Sequence, residues 1–576
     1  MIRGKEEPIE EFLSQIDGQL FIPIYQRKYT WKDEERDYFW RFLEDIDEND
    51  ENSKHYLHAI LTKEHGGKLK SKNKLKRISI IDGQQRVLTS ALLYAAICAF
   101  CKNNSDVDFD WENEIYNKIL IRPGKEGDEK YKIIPKDFDE KTFKMIIDDL
   151  PITLKEKAGV SQIIKTYNYF LDKLTVDNVE DVYYKFAHFV IGNDVAEEHD
   201  NAQILFETIN FAGTPLKEFE MVRCYTLMEN DKEVQDKLYY KYWYPLSQNF
   251  NDTELTLLFK SYSYYYLKLL HTPSIMKVLE DYKTKGRSNE DFLKDVTEFA
   301  SKFKKILKCE TEIEEVNASL KLIITKKLLI PMCIRLYELY ENSTINLNHF
   351  INCIKLIEVT YVRLIINNSS TAGTLTRNIF FNLDYSSNAF NELMEKITSK
   401  KDEMNVPRNI ISDNLFENKL LMSNFYKEYS SAFVKSFLIR LELYTHDDKE
   451  FKLDKYEIEH IMPQELNENW KDYLGDDWET IHSENVNRIG NLTLIAIKNN
   501  KKLSNKSFDE KLKMDKGYKD DKLYLNKSIS SLHHWNQDTI QSRSESIVKK
   551  AVEIWSYPTF NENHYLKNQS VLVGSK

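Results

Sequence analysis

Ile78-Ser79-Ile80-Ile81-Asp82-Gly83-Gln84-Gln85-Arg86, with the apolar run from Val87 to Phe100 behind it, decides how the first part of this chain folds. Ile78 to Ile81 has the β-branched content of a strand, Asp82-Gly83 makes a tight turn, and Val87 to Phe100 reads as an apolar helix. Strand, glycine-containing turn and helix form an α/β corner. Gly83 can take a positive φ and lets another group approach the backbone closely. The free N–H groups at the start of the helix that follows are a ready anion site. Arg86 can grip a phosphate through its forked donors, Asp82 can hold Mg²⁺, and Gln84 and Gln85 add polar groups between them. A purely structural strand–helix corner remains open at this point, because Asp-Gly turns are common.

Residues 7–20 read as a short amphipathic helix, Leu20 to Tyr25 as a strand, Trp31 to Ile46 as a helix, and Tyr56 to Thr62 as another strand. Between the strand and the helix, Pro23-Ile24-Tyr25-Gln26-Arg27-Lys28-Tyr29-Thr30-Trp31 forms a second polar and aromatic cluster; Tyr25, Gln26 and Arg27 are its candidate binding residues. From about 140 to 400 the periodicity is almost wholly helical, clearest in Leu347 to Ile366. Leu320 to Tyr340 continues the pattern, with a break expected at Pro331. The aromatic run Tyr239 to Tyr244 is read as core packing rather than a base-stacking surface. After about 450 short strand-like pieces return, and a helix from Asp538 to Trp555 closes the pattern.

A chain of 576 residues requires two or three domains. Its 41% hydrophobic and 30% charged residues, with a mean hydropathy of -0.55, are those of an ordinary globular protein. Gly 16 and Pro 12 are few for this length and favour long helices in directly packed domains. No apolar leader stands at the N-terminus and no run is long enough to span a bilayer, which predicts a cytoplasmic protein with no membrane partner. Cys98 and Cys101 form a lone Cys-x-x-Cys in an apolar helix and are read as buried thiols. The net charge of -11 argues against coating nucleic acid by bulk electrostatics, yet two segments are locally basic. Lys63 to Arg77 carries seven Lys/Arg against one Glu, and Lys498 to Lys519 carries eight Lys against three acidic residues.

The second constellation is Ile458-Glu459-His460-Ile461-Met462-Pro463. Asn491 follows His460 by thirty-one positions, in Gly490-Asn491-Leu492-Thr493-Leu494-Ile495, and Asn500 comes nine residues later. Two strands and a helix can bring His460, Glu459, Asn491 and Asn500 toward one point. A neutral His suits general-base activation of water near pH 7. A carboxylate and an amide oxygen are hard ligands for Mg²⁺ or Mn²⁺, so the set fits phosphodiester hydrolysis with one metal. Lys498, Lys501, Lys502 and Lys506 would lie along a nucleic-acid backbone. No Gly-x-x-x-x-Gly-Lys followed by Ser or Thr occurs, which excludes a P-loop NTPase.

Pro23-x-Tyr25-Gln26-Arg27-x-Tyr29-x-Trp31, then Asp82-Gly83-Gln84-Gln85-Arg86, then Phe206-Glu207-Thr208-Ile209-Asn210-Phe211-Ala212-Gly213-Thr214-Pro215-Leu216 resemble the N-terminal domain of the GmrSD-type family of type IV restriction endonucleases, with its ParB-like fold. Two departures stand out: Leu88-Thr89 keeps only the second of two usual threonines, and His58 stands where a glycine is usual. Glu459-His460, Asn491 and Asn500, with Pro463-Gln464, Ser504 to Lys511 and the Trp535, Ile540, Arg543, Trp555 spacing, resemble the Asn-ending His-Asn-His (ββα-metal) nuclease at the C-terminus of the same family. The resemblance implies His460 as general base, Glu459 and Asn500 as metal ligands, and Asn491 as the brace of the loop carrying the histidine. It also implies nucleotide binding and hydrolysis at residues Tyr25 to Arg27 and Asp82 to Arg86, coupled to recognition of modified DNA. The turn does not distinguish GTP, ATP, CTP and UTP.

The expected fold is mixed α+β and mostly helical: a ParB-like α/β sensor over 1–235, a helical connection over 236–405, and a ββα nuclease embedded in helices over 406–576. The expected function is a modification-dependent DNA endonuclease in anti-phage defence, gated by nucleoside triphosphate. Oligomeric state stays open from sequence, although cutting both strands with one nuclease site per chain would favour a homodimer or sequential nicking. Two alternatives stay open from sequence: a nucleotide-regulated module that grips nucleic acid without cutting it, and an RNA-cleaving toxin.

Overall fold

The computed structural model describes residues 3–16, 18–47, 50, 53–65, 75–149, 161–196, 216–228, 232–268, 274–367, 383–398, 410–445, 455–514 and 517–558. The fold is mixed α+β and mostly helical, in two compact units, 1–256 and 257–576.

The first unit is built on a six-stranded mixed sheet. Its strands are β1 (Arg3–Pro8), β2 (Gln19–Phe21), β3 (His55–His65), β4 (Arg77–Asp82), β5 (Ile133–Ile134) and β6 (Phe189–Ala196). Their order is β1-β6-β3-β4-β2-β5. β3 and β4 run antiparallel, β4 and β2 parallel, so the strand that opens the Asp82-Gly83 turn lies inside the sheet. The Gln84–Asn103 helix that follows is buried on nearly every side from Val87 to Ala99, as an all-apolar helix must be. Cys98 and Cys101 lie inside it as free thiols, their pKa values pushed up by burial.

Three strands, β1, β5 and β6, were not legible. β6 falls inside a stretch that reads as helical, yet it holds β1 on one side and β3 on the other. Leu20 to Tyr25 forms a strand only as far as Phe21. Beyond it the chain turns, with Gln26 N–H donating to Pro23 C=O at 3.0 Å.

In the second unit the helices Glu314–Ile323 and Ile330–Glu341 are separate, with Pro331 in the first turn of the second. The break therefore precedes the proline, because a first-turn residue needs no intrahelical N–H bond. The Leu347–Ile366 helix stands where the periodicity put it and is buried nearly throughout. It is tied to the C-terminal segment by charged groups inside the core. Glu358, 2% exposed, accepts from Arg440 Nε and from Trp555 Nε1, both at 2.9 Å. Arg363, fully buried, donates to Trp555 C=O at 2.8 Å and to Ile411 C=O at 2.6 Å, and pairs with Asp413. These bonds satisfy charges that burial would otherwise penalise heavily.

The second unit also holds the hairpin β7 (Tyr456–His460) and β8 (Leu492–Ala496), antiparallel, with His460 opposite Leu492 and Glu457 opposite Ile495. The Ile497–Leu503 helix follows β8 directly and completes a ββα arrangement. Its core gathers Ile461, Met462, Trp470, Ile495, Leu503, Phe508, Tyr518, Ile529, Trp535 and Ile540.

Candidate active site

At the N-terminal corner, Gly83 caps the helix with φ +91, and a Cβ there would press into Ile60. The helix starts at Gln84 rather than Val87, so Gln84, Gln85 and Arg86 occupy its first turn. The two polar clusters come together here. Gln26 Nε2 donates to Ile81 C=O at 2.5 Å, Thr30 N–H donates to Gln85 Oε1 at 2.8 Å, and Gln85 Nε2 donates to Lys28 C=O at 3.2 Å. Arg86 bonds Asp82 at 2.7 Å and Leu57 C=O at 3.1 Å, so the phosphate and Mg²⁺ candidates are paired with each other. Gln84 Oε1 is buried without a partner. Arg27 is half-buried and makes no bond among the described residues. Tyr25 turns inward at 5% exposure, its phenol pKa pushed up by burial, and offers no stacking face.

His58 adds a physical reason for the glycine usual at its place. It sits at φ 66 where the β3 register shifts between Tyr56 and Ala59, a left-handed bulge in which any Cβ is strained. Of the block Phe206–Leu216 only Leu216 lies within the described residues, and much of the Lys63–Arg77 segment lies outside them.

At the hairpin, His460 ends β7 at 8% exposure, its ring edge-on to Tyr426 with centroids 4.5 Å apart. Its Nε2 is buried and has no hydrogen-bond partner. Burial, then the Lys511 charge and His482, lower its pKa to about 4 against an opposing hydrogen bond with Asn487, so the ring is neutral at pH 7. Asn491, fully buried, uses every polar atom of its side chain. Oδ1 accepts from Met462 N–H at 2.8 Å and Trp535 Nε1 at 3.0 Å; Nδ2 donates to Met462 C=O and Val486 C=O, both at 2.9 Å. It thereby fixes the two residues that follow His460, with Ile461 N–H also donating to Asn491 C=O at 3.0 Å.

Strand alternation separates Glu459 from His460. Glu459, 7% exposed, accepts from Lys511 Nζ at 2.7 Å and Tyr518 O–H at 3.2 Å, with burial raising its pKa. Lys511 has no exposed surface, and its three N–H groups go to Glu459, His460 C=O and Ile461 C=O. Asn500 lies instead beside Glu457, its Nδ2 3.3 Å from Oε2. Lys498, Lys502 and Lys506 are exposed around the short helix; the Lys501 side chain lies outside the description.

The structure thus brings His460 and Asn491 to one loop and Asn500 to the same hairpin, but turns Glu459 to the Lys511 side. Among the described residues no group of three His, Cys, Asp or Glu could hold a metal ion. Four residues in contact with the candidate site escaped the sequence reading: Glu457, Lys511, Tyr426 and Tyr518. Period-two spacing from Glu459 could have found Glu457, and the lysine of the Ser504–Lys511 block was in view without a role. Arg543 braces β8 from behind, with Nη1 on Gly490 C=O at 2.5 Å and Leu492 C=O at 2.8 Å. Gly490 admits this packing because a Cβ would collide with Ile540 C=O and the Ser544 hydroxyl.

Among the described residues no helix is long and apolar enough to cross a membrane. No curated protein matches the chain. Two family profiles do: that of the GmrSD restriction endonuclease N-terminal domain over residues 9–227, and that of the GmrSD restriction endonuclease C-terminal domain over 410–550. The first spans the sheet and its Asp82–Arg86 corner, the second the ββα hairpin with its braces, and together they cover well over half of the sequence. With both domains in order on one polypeptide, the chain belongs to the GmrSD restriction endonuclease family, nucleases whose substrate is DNA.

Proposed function

We propose that this chain is a modification-dependent DNA endonuclease of anti-phage defence, in which nucleoside triphosphate binding and hydrolysis at the N-terminal corner gates metal-dependent phosphodiester hydrolysis at an HNH-like site built on His460. The observation that carries the reading is a neutral histidine with an unpartnered Nε2, set at the end of a strand whose next turn is held by Asn491. His460 takes a proton from the attacking water at Nε2. Asn491 keeps the histidine loop at fixed position, and Lys498, Lys501, Lys502 and Lys506 attract the DNA backbone.

The atoms proposed as ligands, from Glu459, Asn500 and Glu457, are oxygens, the class that binds Mg²⁺ or Mn²⁺. The Glu457–Asn500 pair offers a carboxylate and an amide oxygen to such an ion once the Asn500 amide, whose Nδ2 now faces Glu457, is turned over. Glu459 fits only if the ion displaces Lys511 from its Oε1. Glu459 and Asn500 remain the proposed ligands, with Glu457 beside them. A bound ion there supplies Lewis acidity to a scissile phosphate oxygen.

At the other site the first-turn N–H groups behind Gly83 and the Arg27 guanidinium support binding of a nucleotide's phosphates. Arg86 would exchange part of its Asp82 pairing for phosphate, freeing Asp82 for Mg²⁺. One observation favours the non-cutting alternative, a module that grips DNA: the neutralisation of Glu459 by Lys511.

The test is Mg²⁺- or Mn²⁺-dependent cleavage of unmodified plasmid and of heavily modified phage genomic DNA, with and without each nucleoside triphosphate, beside His460→Ala. Cleavage of modified DNA alone, lost in the variant and in EDTA, is expected. Binding without scission under every condition would replace the proposal with the module reading.

A further inference from the structure

Behind the hairpin lies a cleft of about 370 Å³ between the helices Ser431–Thr445, Tyr524–Ser530 and Gln537–Ile554. Its floor is apolar, from Leu441, Leu525, Leu532 and Ile547, and exposed Ser542 and Ser546 stand at its rim. Arg543 lines it at 6% exposure.

Arg543 is the unusual element. Its Nη atoms bond three carbonyls, those of Gly490, Leu492 and Leu525, but its Nε is buried without an acceptor. Among the described residues no carboxylate pairs with it, and burial lowers its pKa to about 10. The other buried arginines of this unit differ: Arg440 has Glu358 and Arg363 has Asp413. A buried guanidinium without a counter-charge is costly, because carbonyl dipoles replace only part of its hydration. The cleft's other charges do not supply the anion: Lys550 is itself cationic, bound to Glu553 at 2.9 Å, and Asp538 stands exposed more than a helical turn from Arg543.

We propose that this cleft binds a small amphipathic anion, a carboxylate or phosphate ester on an apolar body, with Arg543 as the compensating charge and the leucine floor as the apolar contact. The volume lies within the range of small-molecule sites and suits a body on the order of ten to fifteen heavy atoms. The site is separate from the phosphodiester chemistry proposed for His460. Because Arg543 also holds Gly490 and Leu492, occupancy would steady β8 as well.

The test is calorimetric titration of the full chain with decanoate, decyl phosphate, decanol and decyltrimethylammonium, all below their micellar concentrations. Decanoate or decyl phosphate is expected to bind one per chain, at least about tenfold more tightly than decanol, with no binding of the cation. The preferred anion distinguishes a fatty-acid-like ligand from a phosphate ester. Ser546→Trp, at an exposed rim position, should block the cleft and abolish the heat without disturbing the fold. Arg543→Met should erase the preference of anion over alcohol if the variant folds. Equal binding of decanoate and decanol, unchanged binding in Ser546→Trp, or no heat with either anion up to about 1 mM would each overturn the proposal.

Discussion

Replacing Asn491 with alanine deletes four buried hydrogen bonds at 2.8–3.0 Å at once. Two donors, Met462 N–H and Trp535 Nε1, lose their acceptor inside the core, and an orphaned buried donor costs on the order of 1–3 kcal/mol. The carbonyls of Met462 and Val486 lose a donor, a smaller penalty because under-satisfied carbonyls are tolerated more often. The total is about 4 kcal/mol, and it falls on the turn after His460. Amide hydrogen exchange followed by mass spectrometry reads it segment by segment. Exchange over 456–463 should accelerate by roughly a thousandfold, since each 1.4 kcal/mol is a factor of ten. Exchange in the Gln84–Asn103 helix, in the other unit, should not change. Cleavage should drop by about a hundredfold, the scale expected when a catalytic group is misplaced by about 1 Å. Unchanged protection over 456–463, or a loss spread evenly over the molecule, would show that Asn491 does not brace this loop.

Three further outcomes follow from particular side chains. Folded His460 takes up its proton only near pH 4, while the unfolded chain does so near 6.5. Stability of the second unit is therefore complete above pH 6.5 and falls between 6.5 and 4 by on the order of 3 kcal/mol; urea midpoints should show this limb and lose it in His460→Gln. Lys511→Met leaves Glu459 buried and unpaired at about 3–5 kcal/mol, and Glu459→Gln in the same chain should restore most of that in thermal melts. Gly83→Ala forces a residue at φ +91 against Ile60, so nucleotide turnover, measured as phosphate release, should fall with it; Arg86→Ala should lower turnover at intact stability.

The long periodic helices, Leu347–Ile366 and the closing one, were legible because burial at one spacing leaves a mark on every turn. β1 was not, since Arg3-Gly4-Lys5-Glu6-Glu7-Pro8 is held by its backbone pairing with β6 rather than by an apolar face. β6 was hidden by its Gly192-Asn193-Asp194 stretch, which has loop composition. At the hairpin, adjacency misled: Glu459 and His460 are neighbours in sequence, and a strand sends neighbours to opposite faces. Asn491 could be assigned as a brace through family resemblance, but the four partners that make it one come from distant positions.

The closing helix, Gln537–Ile554, has a mechanical consequence. At its end Trp555 is clasped by Glu358 and Arg363 of the Leu347–Ile366 helix, and near its middle Arg543 and Ser544 are fastened to Gly490 and Leu492. Eighteen residues of helix make a strut of about 27 Å, stiff along its axis. Any axial push or twist given to the Leu347–Ile366 helix would be delivered at Gly490, the residue that sets the start of β8 opposite His460. A signal arriving in the helical region would therefore need no separate relay: the strut is already pinned at its C-terminal end and near its middle.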